Sequence, residues 1–119
     1  MEESAGVYRT EEGLVQGREK LKELRERFRC VSLKDTTRTF NVELVAVLEL
    51  DFMLDVAEAI IHSALERRES RGAHARWDFP QRNDNEYLFH TLVRYTPEGP
   101  FLAQAPVTIT RWQPAERKY

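Results

Sequence analysis

A chain of 119 residues, 41% hydrophobic and 32% charged, holds one modest core, which excludes a nucleotide-binding enzyme with a separate substrate domain. A formal charge of -2 at pH 7 offers no broad field to nucleic acid or an anionic membrane, and the ordinary apolar content excludes wholesale disorder. Cys30 is the sole cysteine, which excludes an intramolecular disulfide and a thiolate-rich metal cluster, and Glu2 and Glu3 stand where a secretory leader would be basic, so the chain reads as soluble and intracellular.

Residues 1–9 form a short, weakly patterned lead. Thr10 suits an N-cap, because Glu11 and Glu12 place carboxylates at the positive end of the helix that follows. Leu14, Leu21, Leu24 and Phe28 then recur at 3-4 spacing, with Gly17 in the vacant slot, which predicts a helix with a narrow bundle-type stripe. Gly13 and Gly17 either admit another backbone or are tolerated at the surface, each at about 1 kcal/mol of helix propensity against alanine. Arg18 to Arg29 otherwise reads as a solvated face, and Val31 to Thr39 as a connector.

Asn41 caps a predicted second helix over Val42–Arg68. Fifteen of the twenty residues from Val42 to Ile61 are apolar, the length of a bilayer span. Glu43, Glu49, Asp51, Asp55 and Glu58 make burial in lipid too costly, so a soluble helix is expected. Asp51, Asp55, Glu58 and His62 form one polar ridge. Leu44, Val47, Leu48, Leu50, Leu54, Ala57, Ile61, Ala64 and Leu65 cover more than one side, and so wide an apolar surface needs at least two packing partners. The first helix supplies one; the other is missing from this chain.

Residues 69–86 show neither helical nor strand period, and loops this long are usually functional or ordered by a partner. Tyr87, Phe89, Thr91, Val93 and Tyr95 alternate with Leu88, His90, Leu92 and Arg94 as a strand does. Thr96-Pro97-Glu98-Gly99 suits a turn. Phe101–Ala103 and Val107–Trp112 read as returning strand, with Pro106 at an edge or a break. The expected fold is mainly α: an antiparallel helical bundle, two long helices of a three-helix, spectrin-repeat-like arrangement, then a long loop and a small C-terminal β-hairpin. Its parts are a helical bundle region over 1–68, an Arg-rich docking loop over 69–86, and a hairpin with an extended tail over 87–119.

The chemistry-bearing motifs are sparse. Gly6, Gly13, Gly17, Gly72 and Gly99 form no G-x-G pair and no P-loop, and Ser70 lacks a G-x-S-x-G setting. Ser70, His74 and Asp78 make a triad on paper only. His62 reads as a surface residue, His90 as one that packs or hydrogen-bonds, and His74 with Asp78 falls short of a zinc ligand set. The informative stretch is the loop, where Arg67, Arg68, Arg71, Arg76 and Arg82 interleave with Glu69, Asp78 and Asp84 and with Trp77 and Phe79. Arginine and aromatics favour protein interfaces and bidentate carboxylate pairing, so docking ranks first. Internal bracing ranks second. Nucleic-acid contact ranks a distant third, because the acids offset the positive charge.

That loop carries a resemblance. Arg68-Glu69-Ser70-Arg71-Gly72-Ala73-His74-Ala75-Arg76, then Asp78, Pro80, Arg82 and Asp84, resembles the R-K-E-S-R-G-A-H-x-R-x-D-x-P-x-R-D-D signature of succinate dehydrogenase and fumarate reductase flavoprotein subunits. Gly6 to Leu14 resembles the family's V-G-I-x-R-T-E-E-G-L, Phe40-Asn41 its helix start, and His90-Thr91-Leu92 its K-H-T-L. Pro106-Val107 resembles its R-P-V and Glu116-Arg117-Lys118-Tyr119 its terminal E-R-x-Y. Arg68 replaces the usual Lys, Trp77 a common Glu, Asn83 the usual Asp and Phe89 the general Lys.

The resemblance implies a C-terminal helical domain and tail, preceded in the parent by an FAD-binding and a capping domain. Such parents exchange a hydride between succinate and FAD and pass electrons to an iron–sulfur subunit and quinone. Their catalytic and flavin-linking residues match no position here, so the isolated chain is expected to be inactive and to hold no cofactor or metal. Arg68, Glu69, Arg71, His74, Arg76, Asp78, Arg82 and Asp84 are then the docking residues, against the flavin-binding domain of the parent chain or the iron–sulfur subunit. The implied location is cytoplasmic, peripheral on the inner face of the cytoplasmic membrane through the parent complex, with no direct insertion. As a fragment, the chain is expected to self-associate into a homo-oligomer. The alternatives are the C-terminal domain of an L-aspartate oxidase, which shares the E-S-R-G loop, and a free-standing interaction module.

Overall fold

Both long helices start where their caps predict. In the computed structural model, which describes residues 1–115, the Thr10 hydroxyl accepts the Gly13 N–H at 3.1 Å and opens α2 (Glu11–Phe28). Two short elements precede it, α1 (Glu2–Ala5) and β1 (Tyr8–Arg9), so the lead is more structured than its weak pattern suggests. Asn41 opens α3 (Val42–Glu66): its Oδ1 accepts from Leu44 N at 2.8 Å, while its Nδ2 donates to the Asp35 and Thr37 carbonyls. Glu43 tightens the same connector by accepting the N–H groups of Lys34 and Asp35.

The core lies between α2 and α3. Leu21, Leu54, Ala57 and Ile61 are buried together, with Ala5, Leu24, Phe28 and Leu65 packed around them. At Gly17 the elements approach closely. A Cβ there would stand 2.8 Å from Ser4 Cβ and 3.0 Å from Ile61 Cδ1. The polar ridge of α3 is not simply solvated, because Arg25 of α2 reaches across to Asp55 and to Glu58, the latter at 3.0 Å. Much of the remaining apolar surface of α3 is exposed, including Val42, Leu44, Leu48, Phe52 and Val56. No described helix is long and apolar enough to cross a membrane.

The C-terminal half departs from its predicted boundaries in three places. First, α3 ends at Glu66 rather than Arg68, because Arg67 turns to extended backbone at φ -90°, ψ 103°. Second, residues 69–86 are not structureless: β2 (Ala75–Arg76) pairs in parallel with β1, Tyr8 opposite Ala75 and Arg9 opposite Arg76. Asn83 caps a single helical turn, α4 (Asp84–Tyr87), which removes Tyr87 from the predicted strand. Third, β3 (Phe89–Arg94) pairs antiparallel with one continuous strand, β4 (Phe101–Pro106). Pro106 is the last rung, opposite Phe89. Beyond it the ladder has no partner, since the preceding segment has already turned into α4, and Val107–Trp112 is therefore not strand. The turn forms at Thr96–Gly99, with Gly99 N donating to Thr96 O at 3.0 Å and Gly99 at φ +124°. The predicted class, helix-rich with a small antiparallel strand pair, is what the structure has. The Glu116–Tyr119 ending lies outside the described residues.

Candidate docking site

The segment after α3 is built around two buried charges. Glu69 and Arg76 have 0% and 1% exposure, and burial of either charge is tolerable only with complete pairing. Glu69 receives it from three directions: Arg67 Nη1 at 2.5 Å, Arg71 Nε and Nη2 at 2.8 and 3.1 Å, and the Asn83 N–H at 2.8 Å. Burial by itself would raise the Glu69 pKa, but these bonds from Arg71, Asn83 and Arg67 outweigh it and hold the carboxyl below its usual range. Arg71 and Arg82 then share Asp84, at 2.5 and 2.6 Å, and Arg82 also reaches the Ala115 carbonyl at 2.7 Å.

Arg76 forms the second cluster. Its fork grips Asp78 with Nε and Nη2 at 2.7 and 2.8 Å, Nη2 also reaches Glu11 at 2.7 Å, and Nη1 donates to the Ala64 carbonyl at 2.9 Å. Asp78 returns to α2 by accepting the Glu11 N–H at 2.7 Å, at the positive end of that helix. The guanidinium of Arg76 is the main reason that the Asp78 pKa falls to about 2. One arginine thus joins the start of α2, the end of α3 and the loop.

His74 links the clusters to the lead. Its Nε2 lies 3.1 Å from the Arg67 carbonyl and its Nδ1 2.9 Å from Arg9 Nη1. Arginine is always a donor, so Nδ1 accepts and the proton sits on Nε2. Burial lowers the His74 pKa; its bond to Arg67 O opposes this, and the charges of Arg9, Arg76 and Arg67 add to the lowering. Ser70 is a fastener, accepting the Arg76 N–H at 2.8 Å and donating to the Phe79 carbonyl at 2.9 Å. No hydrogen bond joins Ser70, His74 and Asp78 to one another, since Ser70 holds the Arg76 backbone, His74 meets Arg9 and Arg67, and Asp78 holds the Arg76 guanidinium, so the paper triad is not assembled.

Seven of the eight residues singled out in the sequence therefore belong to one fastened network, and the eighth, Arg68, is exposed and makes no ion pair with another described residue. Arg68 lies at the rim of a polar hollow that Ser70, Arg71, Gly72, Arg82 and Asn85 also line. Sequence reasoning passed over Arg9 and Glu11 as network members, since they lie 65 residues from their partners. It gave Arg67 no separate role. His90 is exposed rather than packed, and His62 is half-buried beside Glu58, Arg18 and Lys22 instead of fully solvated. Among the described residues no group of three or more His, Cys, Asp or Glu is placed to hold a metal ion. A dinucleotide cofactor does not fit the residues present either: the glycines stand singly, and the donors of Arg67, Arg71 and Arg76 are bound to carboxylates and carbonyls of the chain.

Residues 1–119 match the family described as fumarate reductase flavoprotein C-term. The chain is 51% identical over its whole length to a fumarate reductase flavoprotein subunit of Mycobacterium tuberculosis, and 43% identical over 92% of its length to a succinate dehydrogenase flavoprotein subunit of Rickettsia bellii. The FrdA chain of an Escherichia coli quinol fumarate reductase superposes on 98% of it with a TM-score of 0.94 at 44% identity. The match covers 21%, 19% and 20% of those three chains, so this chain spans about one fifth of the length of its relatives.

Proposed function

From the premise that this chain belongs to the family of fumarate reductase and succinate dehydrogenase flavoprotein C-terminal domains, we propose that it is a non-catalytic brace of a larger flavoprotein. In that reading the parent interconverts succinate and fumarate on an FAD held in its other domains and passes electrons to an iron–sulfur subunit and quinone. The Arg-rich loop docks against the flavin-binding part of the same polypeptide. The observation that carries this reading is the state of the loop. Apart from Glu86 and the neighbouring Arg68, its charges are already paired inside the chain, so it presents a preformed surface at Arg68, Gly72, Ala73 and Trp77 with little ordering left to do on binding. Glu69 and Arg76 act from inside, by holding that surface in shape.

The test uses the purified 119-residue chain. Neither flavin absorbance after purification nor succinate oxidation with an artificial electron acceptor is expected. Either one would overturn the reading. In a flavoprotein that carries this domain, Arg68→Glu is expected to lower the midpoint of flavin-domain unfolding while the circular dichroism of the isolated chain stays unchanged.

A further inference from the structure

The short parallel pair that fastens the lead to the loop depends on one histidine. The Trp77 N–H donates to the Arg9 carbonyl at 2.9 Å, the Tyr8 and Trp77 ring centres stand 5.0 Å apart, and Arg9 Nη1 donates to His74 Nδ1 at 2.9 Å. Two residues of each strand pair, too few to hold in water unaided, so these side chains decide whether the pair stays shut. His74 supports it only while neutral. With Nε2 donating to the Arg67 carbonyl at 3.1 Å, a second proton on Nδ1 has no acceptor and faces a guanidinium. The charged groups acting on the ring are all cations: Arg9 from β1, Arg76 from β2 and Arg67 from just past α3. Arg67 and Arg76 are tied to Glu69, Asp78 and Glu11. Arg9 makes no ion pair with another described residue; besides His74 its side chain holds only the Gly6 carbonyl, at 2.9 Å. Arg9 is therefore the cation that gives way.

We infer that His74 is a proton-operated latch: on taking a second proton it expels Arg9, and residues 6–9 detach from the loop while α2 and α3 stay packed. Burial, with the nearby guanidinium charges, keeps the ring neutral to below pH 6.5, so the latch is shut at neutral pH and opens on acidification. The stretch that moves is bounded on both sides. Ala5 of α1 packs on the core before it, and the Thr10 cap of α2 follows it, so opening frees a few residues and leaves the helix pair intact. The consequence falls on Trp77, which loses the Tyr8 ring and its backbone bond to Arg9. All the parts of the latch lie within this chain, and the inference does not rest on the bracing role.

Fluorescence of the 119-residue chain tests it in a Trp112→Phe background, where Trp77 is the sole tryptophan. Titration from about pH 8 to about pH 5 is expected to show one Trp77 transition with a midpoint below 6.5, at constant helical circular dichroism. His74→Gln keeps a donor for the Arg67 carbonyl but takes up no proton, and is expected to abolish the transition. Should that variant fail to fold, Arg9→Gln decides the question. Its amide oxygen can accept from a protonated ring, so the His74 titration followed by NMR is expected to move up towards 6.5. His62, which faces Glu58, Arg18 and Lys22 instead, is expected to titrate as in the parent. Four results would each overturn the inference: a Trp77 signal that stays flat while His74 titrates, a transition that survives in His74→Gln, helix loss at the same midpoint, or a His74 titration that Arg9→Gln does not move. None of them bears on the flavin and succinate assays that test the bracing role.

Discussion

At the scale of single residues, the network works because guanidinium is the only side chain that fits its centre. Arg76 makes three hydrogen bonds to carboxylates and one to a carbonyl from a planar fork of fixed geometry; lysine, with three donors at one point, would leave acceptors unpaired in a buried site. Neighbouring groups carry a pH dependence whose direction is fixed by their surroundings. His74 and His62 both have pKa values pushed below the ordinary 6.5, chiefly by burial. Below that pH the unfolded chain binds protons that the folded chain resists, so stability is full above about pH 7 and falls as pH drops through 6. Asp78, moved from 3.8 to about 2 by Arg76, behaves alike at lower pH: its contribution is present above about pH 4 and is lost on the way down to about 2. Urea denaturation at a series of pH values is expected to show both limbs. The double variant His62→Gln/His74→Gln should flatten the first limb and keep the second. A first limb that survives in that variant would count against the histidine assignment.

At the scale of elements, the starts of the two long helices were legible and the end of α3 and the start of β3 were not, for a physical reason. Thr10 and Asn41 cap α2 and α3 through bonds spanning three residues, so a local pattern reveals them. The end of α3 is decided by where the Arg67 side chain must go, and the β1–β2 pairing joins residues far apart in the chain, so neither leaves a local trace. The α4 turn was hidden likewise, because Tyr87 and Leu88 alternate correctly for a strand, and the Asn83 cap, itself tied to buried Glu69, draws Tyr87 into a helical turn that ends at Leu88. The charged loop was legible as a cluster but not as two clusters, one around Glu69 and one around Arg76. Gly17 is the element-scale feature most open to test. Alanine there gains about 1 kcal/mol of helix propensity, yet its Cβ would meet Ser4 Cβ at 2.8 Å and Ile61 Cδ1 at 3.0 Å. Overpacking of this kind costs about 1–3 kcal/mol, so Gly17→Ala is expected to lower the thermal midpoint by about 4 °C. Gly13→Ala, whose Cβ meets only Thr10 Oγ1 at 3.3 Å and Ser4 O at 3.7 Å, keeps the propensity gain with little overpacking against it and should leave the midpoint no lower than the parent's. A Gly17→Ala chain more stable than the parent would show that α1 yields to it without penalty.

At the scale of the whole molecule, the shape itself calls for support. The radius of gyration is 18.1 Å and the longest extent 56 Å, whereas a compact domain of this length has a radius of about 13–14 Å. A hairpin runs alongside the helix pair, its turn at Thr96–Gly99 sharing a hollow with Arg25, Phe28 and Asp51, and Arg67 is the clamp at its base. From just past the end of α3 its Nη1 donates to the Tyr87 carbonyl at 2.9 Å, and its Nη2 to the Phe89 carbonyl at 2.7 Å and to Thr91 Oγ1 at 3.3 Å. The same guanidinium lies 4.8 Å from the Phe89 ring centre and pairs with Glu69. An isolated two-stranded hairpin is marginal in water, so its persistence depends on this attachment. Arg67→Ala is accordingly expected to raise amide exchange rates across β3 and β4 by about tenfold or more while the protected core of α2 and α3 exchanges as before. Arg68→Ala, one residue on and exposed, should leave both regions unchanged. Were the hairpin amides of the Arg67→Ala chain as protected as those of the parent, the hairpin would have to be held by its own cross-strand pairs and by its turn beside α2 and α3, and the clamp would lose its role in joining the hairpin to the helix pair.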